Sequence, residues 1–180
     1  GIPARHGTAN RHSECQDCHN PHQLTADYVA PIAPAASMSL RGVARVSVTN
    51  NSASSVSYTF RSPTNTAPVK EYEVCFTCHS GWTTRPSGQA DYAAKFNTKI
   101  ASFHPVEGAG KNTNINVNAF VNNWKPDQVM TCTDCHTSDD TTIRGPHGSA
   151  YQFILKKVSP ASTTRRSTAM PSTELCFDCH

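Results

Sequence analysis

The sequence predicts a mostly irregular chain with short α-helices and one small β-hairpin, organised around something other than a side-chain core. Three observations predict it. Only 37% of the 180 residues are hydrophobic, so a chain long enough for one compact domain has little apolar material to fold around. A single stretch alternates apolar and polar residues over the length of a strand. The string Cys-x-x-Cys-His occurs four times and uses all eight cysteines.

The four strings are Cys15-Gln-Asp-Cys18-His19, Cys75-Phe-Thr-Cys78-His79, Cys132-Thr-Asp-Cys135-His136 and Cys176-Phe-Asp-Cys179-His180. Each has the spacing that covalent haem attachment needs. The two thiols add across the porphyrin vinyl groups, and the histidine that follows rises on the same turn to ligate the iron. Zinc sites built from paired cysteines do not need a histidine directly after each second cysteine. A thioredoxin-like dithiol is one motif in a βαβ unit, and a disulfide framework leaves four adjacent histidines unexplained. The expected fold is therefore mostly irregular coil with short α-helices and a small β-hairpin, wrapped around a stack of four covalently attached haem c groups. Without them the chain is expected to lack a stable fold.

Taken in order, short helical turns are expected to carry each attachment motif. Residues 43–60 place Val46, Val48, Val56, Tyr58 and Phe60 in alternation, with Asn50-Asn51-Ser52 as the turn of a hairpin. That triplet is also a short glycosylation sequon. Residues 89–100 place Tyr92, Phe96 and Ile100 four apart, the stripe of an amphipathic helix lying on a haem. Segments 30–39 and 108–123 read as loops.

The motifs alternate. The first and third share Cys-x-Asp-Cys-His, and the second and fourth share Glu-x-Cys-Phe-x-Cys-His as Glu73 to His79 and Glu174 to His180. The whole chain 1–180 thus reads as a single tetrahaem domain made by duplication of a dihaem unit, about 1–80 and 100–180. Of nine histidines, His6, His12, His22, His104 and His147 lie outside the motifs. Aligning the halves selects His6, His22, His104 and His147 as the second ligands of the four irons and makes His12 the spare, with His12 still a competitor of His6. Met38, Met130 and Met170 are expected to be packing residues, since histidines suffice. His22 lies three residues after His19 and cannot easily reach the other face of the haem that His19 holds, so it is expected to serve another haem.

The formal charge of +3 does not make a nucleic-acid surface, because each haem brings two propionates and the loaded protein becomes net negative. No run of eighteen apolar residues exists to span a membrane. A chain starting at Gly1 without a signal pattern reads as a processed mature form, and covalent haem attachment implies export from the cytoplasm.

Cys-His-Asn-Pro-His at 18–22, Phe-His-Pro-Val at 103–106, Cys-Thr-Asp-Cys-His at 132–136 and Arg-Gly-Pro-His-Gly at 144–148 resemble the doubled multihaem cytochromes of metal-respiring bacteria. Haem count and size are similar to OmcE-type extracellular cytochrome filaments. The resemblance implies a head-to-tail homopolymer in which His22 ligates a haem of the neighbouring subunit, the one on the fourth motif. It also implies other redox proteins as partners and extracellular metal oxides or electrodes as acceptors. Three functions then compete: conduction through an extracellular filament, electron carriage by a monomer in the periplasm, and a haem enzyme. Eight histidines on four irons leave no open coordination position, which argues against the enzyme.

Overall fold

The computed structural model describes residues 13–24, 29–84, 88–112, 114–159 and 172–180. Regular structure among the described residues is two strands, three short α-helices and a few single 3-10 turns, joined by coil. β1 (Arg45–Ser52) and β2 (Ser55–Arg61) form an antiparallel hairpin with Val46 opposite Phe60 and Val48 opposite Tyr58. The alternation does what period two requires: Val56, Tyr58 and Phe60 turn to the half-buried face and the residues between them to solvent. The turn is displaced from its expected place. Asn50, Asn51 and Ser52 belong to β1, with a bulge between Asn50 and Ser52, and the chain reverses after them.

The side chain of Asn50 is engaged: its Nδ2 donates to Thr98 Oγ1 at 3.1 Å and to Glu107 Oε2 at 2.8 Å.

α1 spans Cys15–Cys18, α2 Glu71–His79 and α3 Tyr92–Lys95. α2 is the pillar. Its Tyr72 and Phe76 meet Ala93, Val106 and Met130 in a cluster of buried hydrophobics, with Val48, Tyr58, Phe96 and Trp124 packed round it. Met130 is thus a packing residue, as expected, while Met170 lies outside the described residues.

Arg45 ties the hairpin to α2. Its guanidinium donates to Glu73 at 3.2 Å, to Asn65 Oδ1 at 2.9 Å and to the Ala67 carbonyl at 2.7 Å, and Ser47 Oγ donates to the same Glu73 at 2.7 Å. A buried cation is tolerated because a carboxylate and neutral oxygens surround it.

The helix expected over 89–100 is a single turn. Asp91 caps it, accepting the Ala94 N–H at 3.2 Å, and the buried side chain is Ala93 rather than Tyr92, which is 44% exposed. Asn97 stops it. Fully buried, it donates to the Ser52 carbonyl at 2.7 Å and accepts the Lys99 N–H at 2.8 Å, so the chain is tethered to the hairpin tip where a second helical turn would begin. The described residues of the segments expected as loops are coil apart from 3-10 turns at Met38–Leu40 and Val117–Ala119 and a single bridge from Ala35 to Lys70.

Candidate haem sites

Each attachment motif closes one tight turn. The N–H of His19 donates to the Cys15 carbonyl at 2.8 Å, that of His136 to Cys132 at 2.8 Å and that of His180 to Cys176 at 2.9 Å, while the second motif forms the last turns of α2. This lifts each histidine one turn above its first cysteine. Aspartates brace two of the turns: Asp17 accepts the Glu14 N–H at 2.9 Å and Asp134 accepts the Thr131 N–H at 2.6 Å. The aspartate shared by the first and third motifs thus has a structural role.

The motifs neighbour one another in the order of the sequence. Burial, and then the nearby thiols of Cys75 and Cys78, push Cys18 up to about 11. The hydrogen bond to Cys132 and burial push Cys75 well above the ordinary thiol value. Burial raises Cys135 to about 11 against the pull of Lys156, with Cys179 among the groups that raise it further. The first lies near the second, the second is hydrogen-bonded to the third, and the third lies near the fourth.

Two polar links secure those junctions. Glu71, at the start of α2, accepts from the N–H of Thr133 at 2.9 Å and from its hydroxyl at 2.8 Å. Burial raises the Glu71 pKa, and the two Thr133 bonds oppose it. In the fourth motif burial works upward on Asp178, but Lys156 at 2.8 Å and Lys157 at 2.5 Å overcome it and hold its carboxyl below the usual range.

The imidazoles are oriented for ligation. His19 Nδ1 donates to the Ser39 carbonyl at 2.9 Å, His136 Nδ1 to Phe153 at 2.8 Å and His147 Nδ1 to Arg144 at 2.5 Å. A carbonyl can only accept, so in each ring Nδ1 carries the hydrogen and Nε2 keeps the lone pair that a metal takes. Gly42 makes the first of these contacts reachable. It sits at φ +68°, and a Cβ there would stand 2.5 Å from Gln23 Oε1 and 2.7 Å from Asn20 Nδ2, so only glycine lets the 39–44 loop close on the motif. Beside His19 opens a cleft of about 550 Å³ lined by polar residues, among them Gln16, Asp17 and Asn20, and by apolar ones, among them Val43, Phe60 and Pro63.

The backbone strains to reach His136. Phe153 and Ile154 sit at φ +62° and +53°, a region side chains rarely occupy, and it is the Phe153 carbonyl that receives the ring.

The structure brings some of the expected second ligands to the motifs. His147 and His19 have ring centroids 5.8 Å apart and planes inclined by 26°. Burial, then the charge of nearby His104, hold His180 below the usual histidine value, so the fourth motif has a histidine of its own chain beside it. His79 meets the edge of Tyr92 at 6.3 Å and His180 meets Phe120 at 5.5 Å, so Tyr92 stands at a motif although its helix is short. His22 lies exposed in a turn where its N–H donates to Asn20 Oδ1 at 3.0 Å, and its ring makes no hydrogen bond or ring contact with a described residue. His6 and His12 lie outside the described residues.

Residues 61–180, two thirds of the chain, match the family described as outer membrane cytochrome MtrC/MtrF-like, domains II/IV. The chain belongs to that family. It is a multihaem c-type cytochrome, and its cysteines and histidines are the equipment of extracellular electron transfer. No curated protein and no solved structure matches this cytochrome. No helix among its described residues is long and apolar enough to cross a membrane.

The acceptors missed by sequence reasoning are the carbonyls of Ser39, Arg144 and Phe153, and the carboxylate of Glu71. Carbonyls carry no side-chain signal. Glu71 differs from any surface glutamate only through Thr133, far away in the chain.

Proposed function

We propose that this cytochrome binds four haem c groups, one on each Cys-x-x-Cys-His motif, and carries electrons along them as the repeating subunit of an extracellular filament that delivers to external acceptors. The observation that carries the reading is the adjacency of the motifs in sequence order, Cys18 by Cys75, Cys75 by Cys132 and Cys135 by Cys179. Attachment points that lie near one another in series make one row.

When bound, each haem supplies a one-electron iron couple. The chain's own residues do the rest. Cys15, Cys18, Cys75, Cys78, Cys132, Cys135, Cys176 and Cys179 hold the groups; His19, His79, His136 and His180 ligate from one side; and His22, His104, His147 and His6 are assigned to the other. The carbonyls on Nδ1 raise imidazole basicity and favour the oxidised iron, which keeps potentials low. In the filament His22 leaves its own chain and ligates a haem of the next copy. A contact of that kind does not close on itself, so it propagates.

A second reading, a single-chain periplasmic carrier, is favoured by one proximity. His104 is near enough for its charge to lower the His180 imidazole, which offers the fourth motif a partner without a neighbour. Electron microscopy of native material separates the two, together with the His22→Ala variant. Filaments that shorten or vanish in the variant support the polymer; unchanged filaments, or particles of one chain's mass in the native protein, overturn it.

A further inference from the structure

The two halves of the chain meet at a pair of rings. His19 belongs to the first motif, and His147 lies in the loop after the third. Their centroids are 5.8 Å apart and their planes are inclined by 26°. An imidazole nitrogen sits about 2 Å from a metal it binds, so rings on opposite sides of one ion have centroids about 6 Å apart. Offset stacking of two rings spans the same range, so distance alone does not decide.

The hydrogen bonds decide. Both Nδ1 atoms donate to backbone carbonyls, His19 to Ser39 and His147 to Arg144, and both rings therefore hold an unshared pair at Nε2. Neither Nε2 has a hydrogen to give the other. A metal ion between them satisfies both at once.

The loop that carries His147 is shaped to present it. Gly145 turns at φ +75°, its carbonyl accepts the His147 N–H at 2.9 Å, and a Cβ on Gly145 would already touch the His147 ring at 3.4 Å. That carbonyl also accepts the N–H of Ser138 at 3.0 Å and the hydroxyl of Thr137 at 3.2 Å. The presenting loop is thus anchored to the residues just after the third motif.

We infer that His19 and His147 are the two axial ligands of one iron, that of the haem on Cys15 and Cys18, so that this haem clasps the first half of the chain to the second. The inference rests on the haem reading above and adds which histidine completes which iron. Both imidazoles bind neutral, each giving its Nε2 pair, and no electron or proton changes hands. His147 is thereby withdrawn from the other three irons.

The test uses the haem-loaded protein. Denaturing mass measurement first counts the haems; a count other than four sinks the haem reading before the pairing is in question. His147→Ala is then compared by EPR and resonance Raman in two backgrounds, the intact chain and a Cys15→Ala/Cys18→Ala chain that lacks the first haem. One iron in four should turn high-spin in the first background, with no added high-spin iron in the second. High-spin iron in both backgrounds assigns His147 to another haem and overturns the pairing, as does its absence from both. Should the double-cysteine chain not fold, a structure of the native holoprotein reads the same point: an iron bound by His19 whose second ligand is anything but His147 of the same chain overturns it.

Discussion

Glu71 accepts two hydrogen bonds from Thr133, one from the backbone and one from the hydroxyl, and so joins the helix that ends in the second motif to the turn that forms the third. Bonds to a charged acceptor each contribute about 1.5–3 kcal/mol, and here both converge on one buried carboxylate. Glu71→Ala should lower stability by about 2–3 kcal/mol. It should also speed hydrogen exchange at the Thr133 amide relative to the hairpin amides. Glu71→Gln, which keeps one carbonyl oxygen, should recover part of both. Exchange at Thr133 unchanged in the alanine variant would show that the link carries no energy.

The Arg45–Glu73 pair has side chains 1% and 8% exposed. Removing one partner from such a pair leaves an uncompensated charge, at a cost of about 3–5 kcal/mol, whereas removing both is far milder. Arg45→Met should therefore be much worse than Arg45→Met combined with Glu73→Leu. Denaturant midpoints of the loaded protein give the comparison, and a double variant as unstable as the single one contradicts the burial argument.

Glu107 gives a pH dependence. Burial raises its carboxyl to about 7; Asn50's hydrogen bond and the Lys70 charge pull down, and Asp91 pushes up. Its ordinary value is 4.5, so between that and about 7 the folded chain holds a proton that the unfolded chain releases. The contribution is complete below the unfolded value and is lost as pH rises through the folded one. Melting temperature should accordingly fall from about pH 5 to about pH 8 more steeply in the native chain than in Glu107→Gln. Equal slopes would mean that Glu107 titrates at its ordinary value.

Chain made without haem attachment should have no cooperative melt. Nine hydrophobic side chains are buried among the described residues, few for a chain of 180. Far-UV circular dichroism of protein expressed without the maturation machinery checks this; a sharp transition like that of the loaded protein would refute it.

The parts legible in the sequence are those with a local cause. The attachment motifs are fixed by bond lengths within five residues, and the hairpin by the period-two run from Val46 to Phe60, so both could be read directly. The helix at 89–100 misled because Tyr92, Phe96 and Ile100 do keep helical spacing, while the residue that ends the helix, Asn97, acts through the Ser52 carbonyl at the hairpin tip. The turn slipped because a bulge adds a residue that alternation cannot announce. Aligning the two halves of the sequence proposes His147 as a ligand but cannot say for which iron, since an alignment matches residues with their counterparts and carries no record of which half each one faces.

Export delivers a chain N-terminus first, and in this fold each attachment site leans on the one before it. The three junctions between successive motifs can therefore form as the chain emerges, each new site arriving beside a partner already in place. The contact between His19 and His147 cannot. It spans more than two thirds of the chain, so the first motif must wait, half furnished, until the loop around Gly145 has arrived, and assembly is sequential everywhere except at its opening step, which is finished late.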